Sequence, residues 1–330
     1  VKRSRIVGTG SFVPPRVVGN VEVAAPLGLD PNDIVALTGI QTRHWAEPGQ
    51  ATSDLAVVAG LRACEAAGQT PASIEAILVS TTSPDSVFPS TACHVQRALG
   101  ARTVMAFDLS ASCSGFLYGL SMADVMIRSG QISSCLVIAA EVKSRSLDST
   151  DKETAILFGD GAGAVLVVRD EAARPDAPGI LGIRLYAEGA GHDLITIPAG
   201  GSRKPGGVET IRAKEHTLRM RGSAVFRSAI RRLEQAVTEL LKEFGLTADD
   251  LAQVIVHQAN ARILEQLRRR LGLSNETVYS VIERYGNTSS ASLPIALDHA
   301  VRAQRVAAGD LLLLGAFGGG LTWGTGLVRW

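Results

Sequence analysis

The chain has 330 residues, of which 46% are hydrophobic and 34 are glycine, and its formal net charge is +1. That length and apolar content provide for one large core or two fused halves. The near-neutral charge gives no global electrostatic argument for nucleic acid or a membrane surface, so any basic site must be local.

Lys2, Arg3 and Arg5 are not followed by a long apolar run, so a signal peptide is not expected. No stretch approaches the roughly 18 apolar residues of a membrane span. Gly8-Thr9-Gly10 lacks the third glycine of a dinucleotide-binding fingerprint. Cys64, Cys93, Cys113 and Cys135 show no CxxC or zinc-ligand spacing, and no metal is expected. Cys64, Cys93 and Cys135 read as packing residues, and a reducing, cytoplasmic setting is expected.

Ile74–Ser80 reads as a strand, followed by a helix ending at Arg97–Gly100. Thr103–Leu109 is the next strand, then the small-residue turn Ser110–Gly115, then a helix carrying Phe116, Leu117, Leu120, Ala123 and Ile127 on one face. Leu136–Ala140 is a further strand, and a glycine-rich segment, Gly159–Ala164, closes this half. Residues 171–216, rich in Gly, Pro and charge, hold the junction. The order then repeats: strand Leu251–His257, helix ending Arg270–Gly272, turn Asn287–Ser290, apolar helix, strand Leu311–Gly315 and the loop Gly318–Gly320. Paired elements lie roughly 172–177 residues apart, a duplication with halves at 1–172 and 173–330. Strands alternating with helices imply α/β layers with mostly parallel sheets. Sites in such folds form beyond the C-terminal ends of strands.

By that rule Cys113, His257 and Asn287 converge at the pseudo-twofold centre, with Asn287 taken as the repeat counterpart of Cys113. A thiol at a helix start is expected to favour the thiolate. Each residue has a plainer reading: a packing cysteine, a hydrogen-bonded structural histidine, a helix-capping asparagine. Together they suit acyl chemistry. The thiolate attacks an acyl group and forms a thioester. A histidine Nε2–H and an asparagine NH₂ both donate to one oxyanion, such as the enolate left when a malonyl thioester loses CO₂. The Gly318–Gly320 loop offers backbone N–H groups for a second oxyanion hole beside that of Cys113. The Cys…His…Asn order also occurs in papain-like proteases, but the cysteine's surroundings and its distance from the N-terminus argue against that reading. A non-catalytic acyl-carrier-binding scaffold would not require all three chemical residues.

Ala111–Phe116, Val256–Asn260, Gly286–Ser289 and Phe317–Gly324 resemble the motifs of the β-ketoacyl-acyl carrier protein synthase III family. Gly39–His44 and Phe158–Gly163 extend the match along nearly the whole chain. The resemblance implies a layered αβαβα thiolase fold, a homodimer and a ping-pong decarboxylative Claisen condensation, with acyl-CoA or acyl-carrier thioesters as substrates and no permanently bound cofactor. It implies that Cys113 takes the primer and that His257 and Asn287 promote decarboxylation. The Gly319 N–H would complete the acyl oxyanion hole, and Phe317 would line the decarboxylation site. Phe88 would reach the partner subunit's acyl pocket, which Leu157 also lines. Ser223 and Arg262 would lie along the pantetheine channel, and Arg227, Arg262, Arg269 and Arg270 would face an acidic carrier protein.

The match departs where acetyl-CoA-using members carry a tryptophan and an arginine that sandwich the CoA adenine. Here those places hold Asp33 and Leu37. Lys152 stands where an arginine is frequent, and Ser223 replaces an asparagine. An unusual primer or carrier is therefore expected, in a fatty-acid or specialised polyketide pathway. Thiolases need a second cysteine in the C-terminal glycine loop, and none follows Cys135. Elongating synthases use two histidines, whereas position 287 is asparagine. The remaining alternative is a family relative that moves an acyl group to a hydroxyl or amine without condensation.

Overall fold

A computed structural model describes residues 3–170 and 177–330, so the boundary expected between residues 172 and 173 lies outside the described residues. The first half contributes β1 (Arg3–Phe12), the ribbon strands β2 (Arg16–Gly19) and β3 (Thr42–Trp45), then β4 (Ala76–Ser80), β5 (Met105–Leu109), β6 (Ser134–Glu141) and β7 (Gly161–Asp170). The second contributes β8 (Gly179–Ala187), the short ribbon β9 (Ile195–Thr196) and β10 (Arg219–Met220), then β11 (Gln253–Val256), β12 (Leu311–Gly318) and β13 (Thr322–Arg329).

One sheet has the order β1-β7-β6-β4-β5 and the other β8-β13-β12-β11. A parallel bridge from Val254 to Val278 sits where the second sheet would carry its counterpart of β5. The same pairing senses recur in both sheets, which is the duplication read from the sequence. The expectation of mostly parallel sheets is corrected, because both are mixed. β4 pairs in parallel with β5 and β6, but β7 runs antiparallel to both β6 and β1. Likewise β12 turns straight back into β13 through Gly319–Leu321, and so short a connection permits only antiparallel return.

Strand alternation builds the layers. In β6, Leu136, Ile138 and Ala140 face outward onto Leu55, Ala59 and Ala63 of the helix Thr52–Ala66. Cys135, Val137 and Ala139 face inward onto the helices Gly115–Ser129 and Ser292–Arg302. Those two helices lie between the sheets, since Leu312, Leu314 and Ala316 of β12 pack on the same cluster. Leu311 and Leu313 face the other way, onto the helices Gly222–Glu243 and Ala261–Arg270. The result is five layers, αβαβα. Each fully buried Leu or Ile contributes about 1.5–3 kcal/mol.

Gly8 and Gly10 serve packing. A Cβ at Gly8 would lie 2.2 Å from the Ala63 carbonyl oxygen, and one at Gly10 would lie 2.3 Å from that of Ala59. Cys64 and Cys135 are buried as expected, but Cys93 is exposed. Its helix, Thr91–Ala98, buries Thr91, Ala92 and Val95, and the next position after Ala92 falls off that face.

Candidate active site

β5 ends at Leu109, and the chain turns through Ser112–Ser114 into the inner helix starting at Gly115. Ser112 holds a left-handed backbone with φ 50°. In the second half Ser289 does the same with φ 52°, in the turn Ser289–Ala291 that leads into Ser292–Arg302. This register corrects the expected pairing of the repeats. Cys113 corresponds to Ser290, and Asn287 corresponds to Ser110. Asn287 reaches the site from before the turn, held by its N–H donating to the Leu157 carbonyl and its carbonyl accepting the Gly159 N–H.

Cys113, His257 and Asn287 all line one cavity of about 990 Å³. The Cys113 Sγ lies 3.5 Å from the Ser289 Oγ and 3.9 Å from the Ser112 Oγ. Burial pushes the thiol above its ordinary pKa. The Ser289 and Ser112 hydroxyls beside Sγ and the Lys143 charge pull it down, while the Glu141 charge pushes it up. The expected bias toward thiolate is therefore corrected: loss of water around Sγ outweighs the favourable dipoles.

His257 follows β11, and its N–H donates to the Gly315 carbonyl at 2.8 Å. Its Nδ1 lies 2.6 Å from the Ser292 Oγ, which accepts the Gln258 N–H at 3.0 Å. Ser292 thereby anchors the Nδ1 side of the ring, and a hydroxyl donating to Nδ1 would pair with a ring proton on Nε2. Burial pushes the His257 pKa down to about 4, against a hydrogen bond to the Ser289 backbone. The imidazole is thus a neutral donor at pH 7. The Asn287 Oδ1 accepts the Ser289 N–H at 2.9 Å, which orients the amide with its NH₂ end available.

Gly318 lets β12 close on the nucleophile: a Cβ there would meet the Cys113 backbone nitrogen at 2.6 Å. The Gly319 N–H, expected as a free oxyanion donor, instead donates to the Ser112 Oγ at 3.0 Å. A serine in the left-handed turn places its hydroxyl in that path.

Sequence reasoning missed a buried polar hub. Glu141 and Lys143 form an ion pair at 3.3 Å, with side chains 0% and 5% exposed. Glu141 also accepts from Ser83 Oγ at 2.6 Å, Ser290 Oγ at 3.0 Å, Ser289 Oγ at 3.2 Å and the Thr82 N–H at 3.2 Å. Burial pushes its carboxyl up, but Lys143, Ser83, Thr82 and Ser290 together hold it below the ordinary value. The available signal was two charged residues directly beyond the apolar strand 136–140, at its C-terminal end.

Among the other predicted residues, Leu157, Ser223, Arg227, Arg262, Phe317 and Gly319 line the cavity. Phe88 is 87% exposed and lies off it. Arg269 pairs with Glu265, and Arg270 with Glu234 at 2.6 Å. Neither lines the cavity. Leu37 and Lys152 do, whereas Asp33 is exposed on the helix Pro31–Thr38 and does not.

A doubled five-layer α/β fold with a cysteine at the head of an inner helix is that of a thiolase-superfamily acyltransferase. The comparisons with known proteins narrow the class. The profile of 3-oxoacyl-[acyl-carrier-protein (ACP)] synthase III matches residues 107–189, and that of its C-terminal part matches residues 241–330. The β-ketoacyl-[acyl-carrier-protein] synthase III of Caldanaerobacter subterraneus is 45% identical, over 98% of this chain and 97% of its own. That of Erythrobacter litoralis is 47% identical over 99% of both chains. The crystal structure of the Aquifex aeolicus 3-oxoacyl-[acyl-carrier-protein] synthase III superimposes with a TM-score of 0.91 at 39% identity, covering 99% of this chain and 100% of that one. The priming β-ketosynthase of the R1128 polyketide biosynthetic pathway has a TM-score of 0.91 at 36% identity, over 99% and 96%. The chain belongs to the 3-oxoacyl-[acyl-carrier-protein] synthase III family, and it is an acyltransferase of the β-ketoacyl synthase type.

Proposed function

We propose that Cys113 carries the primer acyl group and that His257 and Asn287 drive decarboxylation of a malonyl thioester, starting a fatty-acid or polyketide chain. The convergence of these three side chains on one cavity supports the reading. Cys113 sulfur attacks the thioester carbonyl, a new C–S bond forms, and the carrier leaves as its thiol with the proton Cys113 gives up. As the thioester oxygen arrives, Ser112 releases the Gly319 N–H to it. After the carrier leaves, a malonyl thioester enters and loses CO₂. The His257 Nε2–H and the Asn287 NH₂ hold the enolate oxygen, and the enolate carbon attacks the acyl-Cys113 carbonyl; the acyl–Sγ bond breaks as the C–C bond forms, and the expelled Cys113 thiolate takes a proton from solvent. Phe317, 4% exposed, keeps water from that side.

The exposed end of the cavity, with Ser223, Arg227 and Arg262, receives the pantetheine arm and the acidic carrier protein. Arg269 and Arg270 extend that basic face. The weakened adenine clamp at Asp33 and Leu37 favours a carrier-protein primer over acetyl-CoA. Phe88, projecting from its own subunit, enters the acyl pocket of a second copy beside Leu157, which makes the enzyme a homodimer. Four free cysteines suit a cytoplasmic setting.

Release of CO₂ from a malonyl thioester, together with β-ketoacyl product, tests the reading. His257→Ala and Asn287→Ala keep acylation of Cys113 and lose CO₂ release. Acyl transfer to a hydroxyl or amine without CO₂ would contradict it. Efficient labelling of Cys113 at low micromolar acetyl-CoA would contradict the carrier-protein preference.

A further inference from the structure

We infer that Lys143 makes the acyl end of the cavity select a primer that carries its own carboxylate, a short dicarboxylic half-thioester, over a plain alkyl acyl group. The inference rests on Cys113 being the acylated residue.

The cavity wall runs from exposed Ser223, Arg227 and Arg262 to buried Cys113 and Lys143. The carrier occupies the exposed end, so the acyl group extends into the buried one. Lys143 lines that end together with Thr82 and Leu157. A short chain of contacts keeps Lys143 close to the sulfur: Cys113 touches Ser289, Ser289 donates to Glu141, and Glu141 pairs with Lys143.

An ammonium has three hydrogens to place. In Lys143 they reach two acceptors, the Thr82 Oγ1 and the Glu141 Oε2. Glu141 does not depend on Lys143 alone, because Ser83, Ser289, Ser290 and the Thr82 N–H also donate to it. Its charge is dispersed over neutral donors, and the ammonium retains donor capacity toward the cavity. An alkyl primer would cover that donor without satisfying it, which is unfavourable for a buried charge. A terminal carboxylate would accept a charge-assisted hydrogen bond from it.

The test is the mass of the intact protein after brief exposure to butyryl, succinyl and glutaryl thioesters, each presented on CoA and on an acyl carrier protein. The expected result is adduct on Cys113 from succinyl or glutaryl at least tenfold faster than from butyryl. In Lys143→Met the preference reverses. If that variant fails to fold, Glu141→Gln/Lys143→Met removes both charges and carries the same comparison. Butyryl labelling as fast as the dicarboxylic thioesters, or an unchanged ratio in a folded variant, overturns the inference while leaving Cys113 as acyl carrier. Absence of adduct from every thioester overturns the underlying reading and the inference with it.

Discussion

The Ser292 hydroxyl oxygen lies 2.6 Å from the Nδ1 of His257 while it accepts the Gln258 N–H. Ser292 is the first residue of an inner helix, and His257 follows a strand of the second sheet. One hydroxyl thereby holds the Nδ1 edge of the ring, and when it donates there the ring proton sits on Nε2.

Ser292→Ala removes that constraint. CO₂ release from a malonyl thioester should fall on the order of 10- to 100-fold, as when a partner that orients a catalytic imidazole is lost. Acylation of Cys113, measured by mass, should be nearly unchanged. Equal loss of both steps would mean that Ser292 supports the fold and not the tautomer.

His257 supplies a pH signature in stability. Its folded-state pKa is pushed from 6.5 down to about 4, so the unfolded chain binds the proton more readily. Its contribution is present above pH 6.5 and is lost as pH falls toward 4, up to about 3 kcal/mol. Urea unfolding at pH 7.5 and 5 should show a larger acid loss for the native chain than for His257→Gln. Identical slopes in the two would refute the shift.

Burial holds the Cys113 thiol above its ordinary range. In a Cys93→Ser background, which removes the exposed competitor, iodoacetamide alkylation of Cys113 should rise only at alkaline pH. Ser289→Ala removes the hydroxyl beside the sulfur, which pulls the thiol down, and should displace the profile further upward. A profile centred below that of a free thiol would contradict this.

Glu141 is buried among several donors, and Lys143 is its buried ionic partner. Lys143→Met leaves the carboxylate to its neutral donors alone and should still cost about 3 kcal/mol in urea unfolding, the low end for removing one member of a buried pair. Glu141→Gln/Lys143→Met should recover much of that loss. A larger loss in the double variant than in the single would contradict the ion-pair account.

The convergence of Cys113, His257 and Asn287 on one cavity was legible because pockets in such folds form beyond strand ends. His257 and Cys113 sit beyond β11 and β5, and periodicity locates both strands. The repeat register was not legible. Cys113 pairs with Ser290 because Ser112 and Ser289 share a left-handed backbone, a property that composition does not display in serine. The Glu141–Lys143 pair was hidden for a related reason. Two charged residues after a strand look solvated until Ser83, Ser289 and Ser290, distant in sequence, close around them. The Cys113 thiol departs from what a helix start favours because burial depends on the whole fold. Cys93 shows the same limit in reverse, since one position around a helix turns a packing residue into an exposed one.

Cys113 as acyl carrier, discharged by a malonyl thioester, makes a prediction that can be followed on one peptide. The most direct measurement follows the mass of the Cys113 peptide after loading with an acyl thioester, then after addition of malonyl-acyl carrier protein. The expected result is an adduct on Cys113 that disappears with stoichiometric release of CO₂ and appearance of β-ketoacyl product. An adduct on another residue, or β-ketoacyl product formed by Cys113→Ala at an undiminished rate, would contradict it.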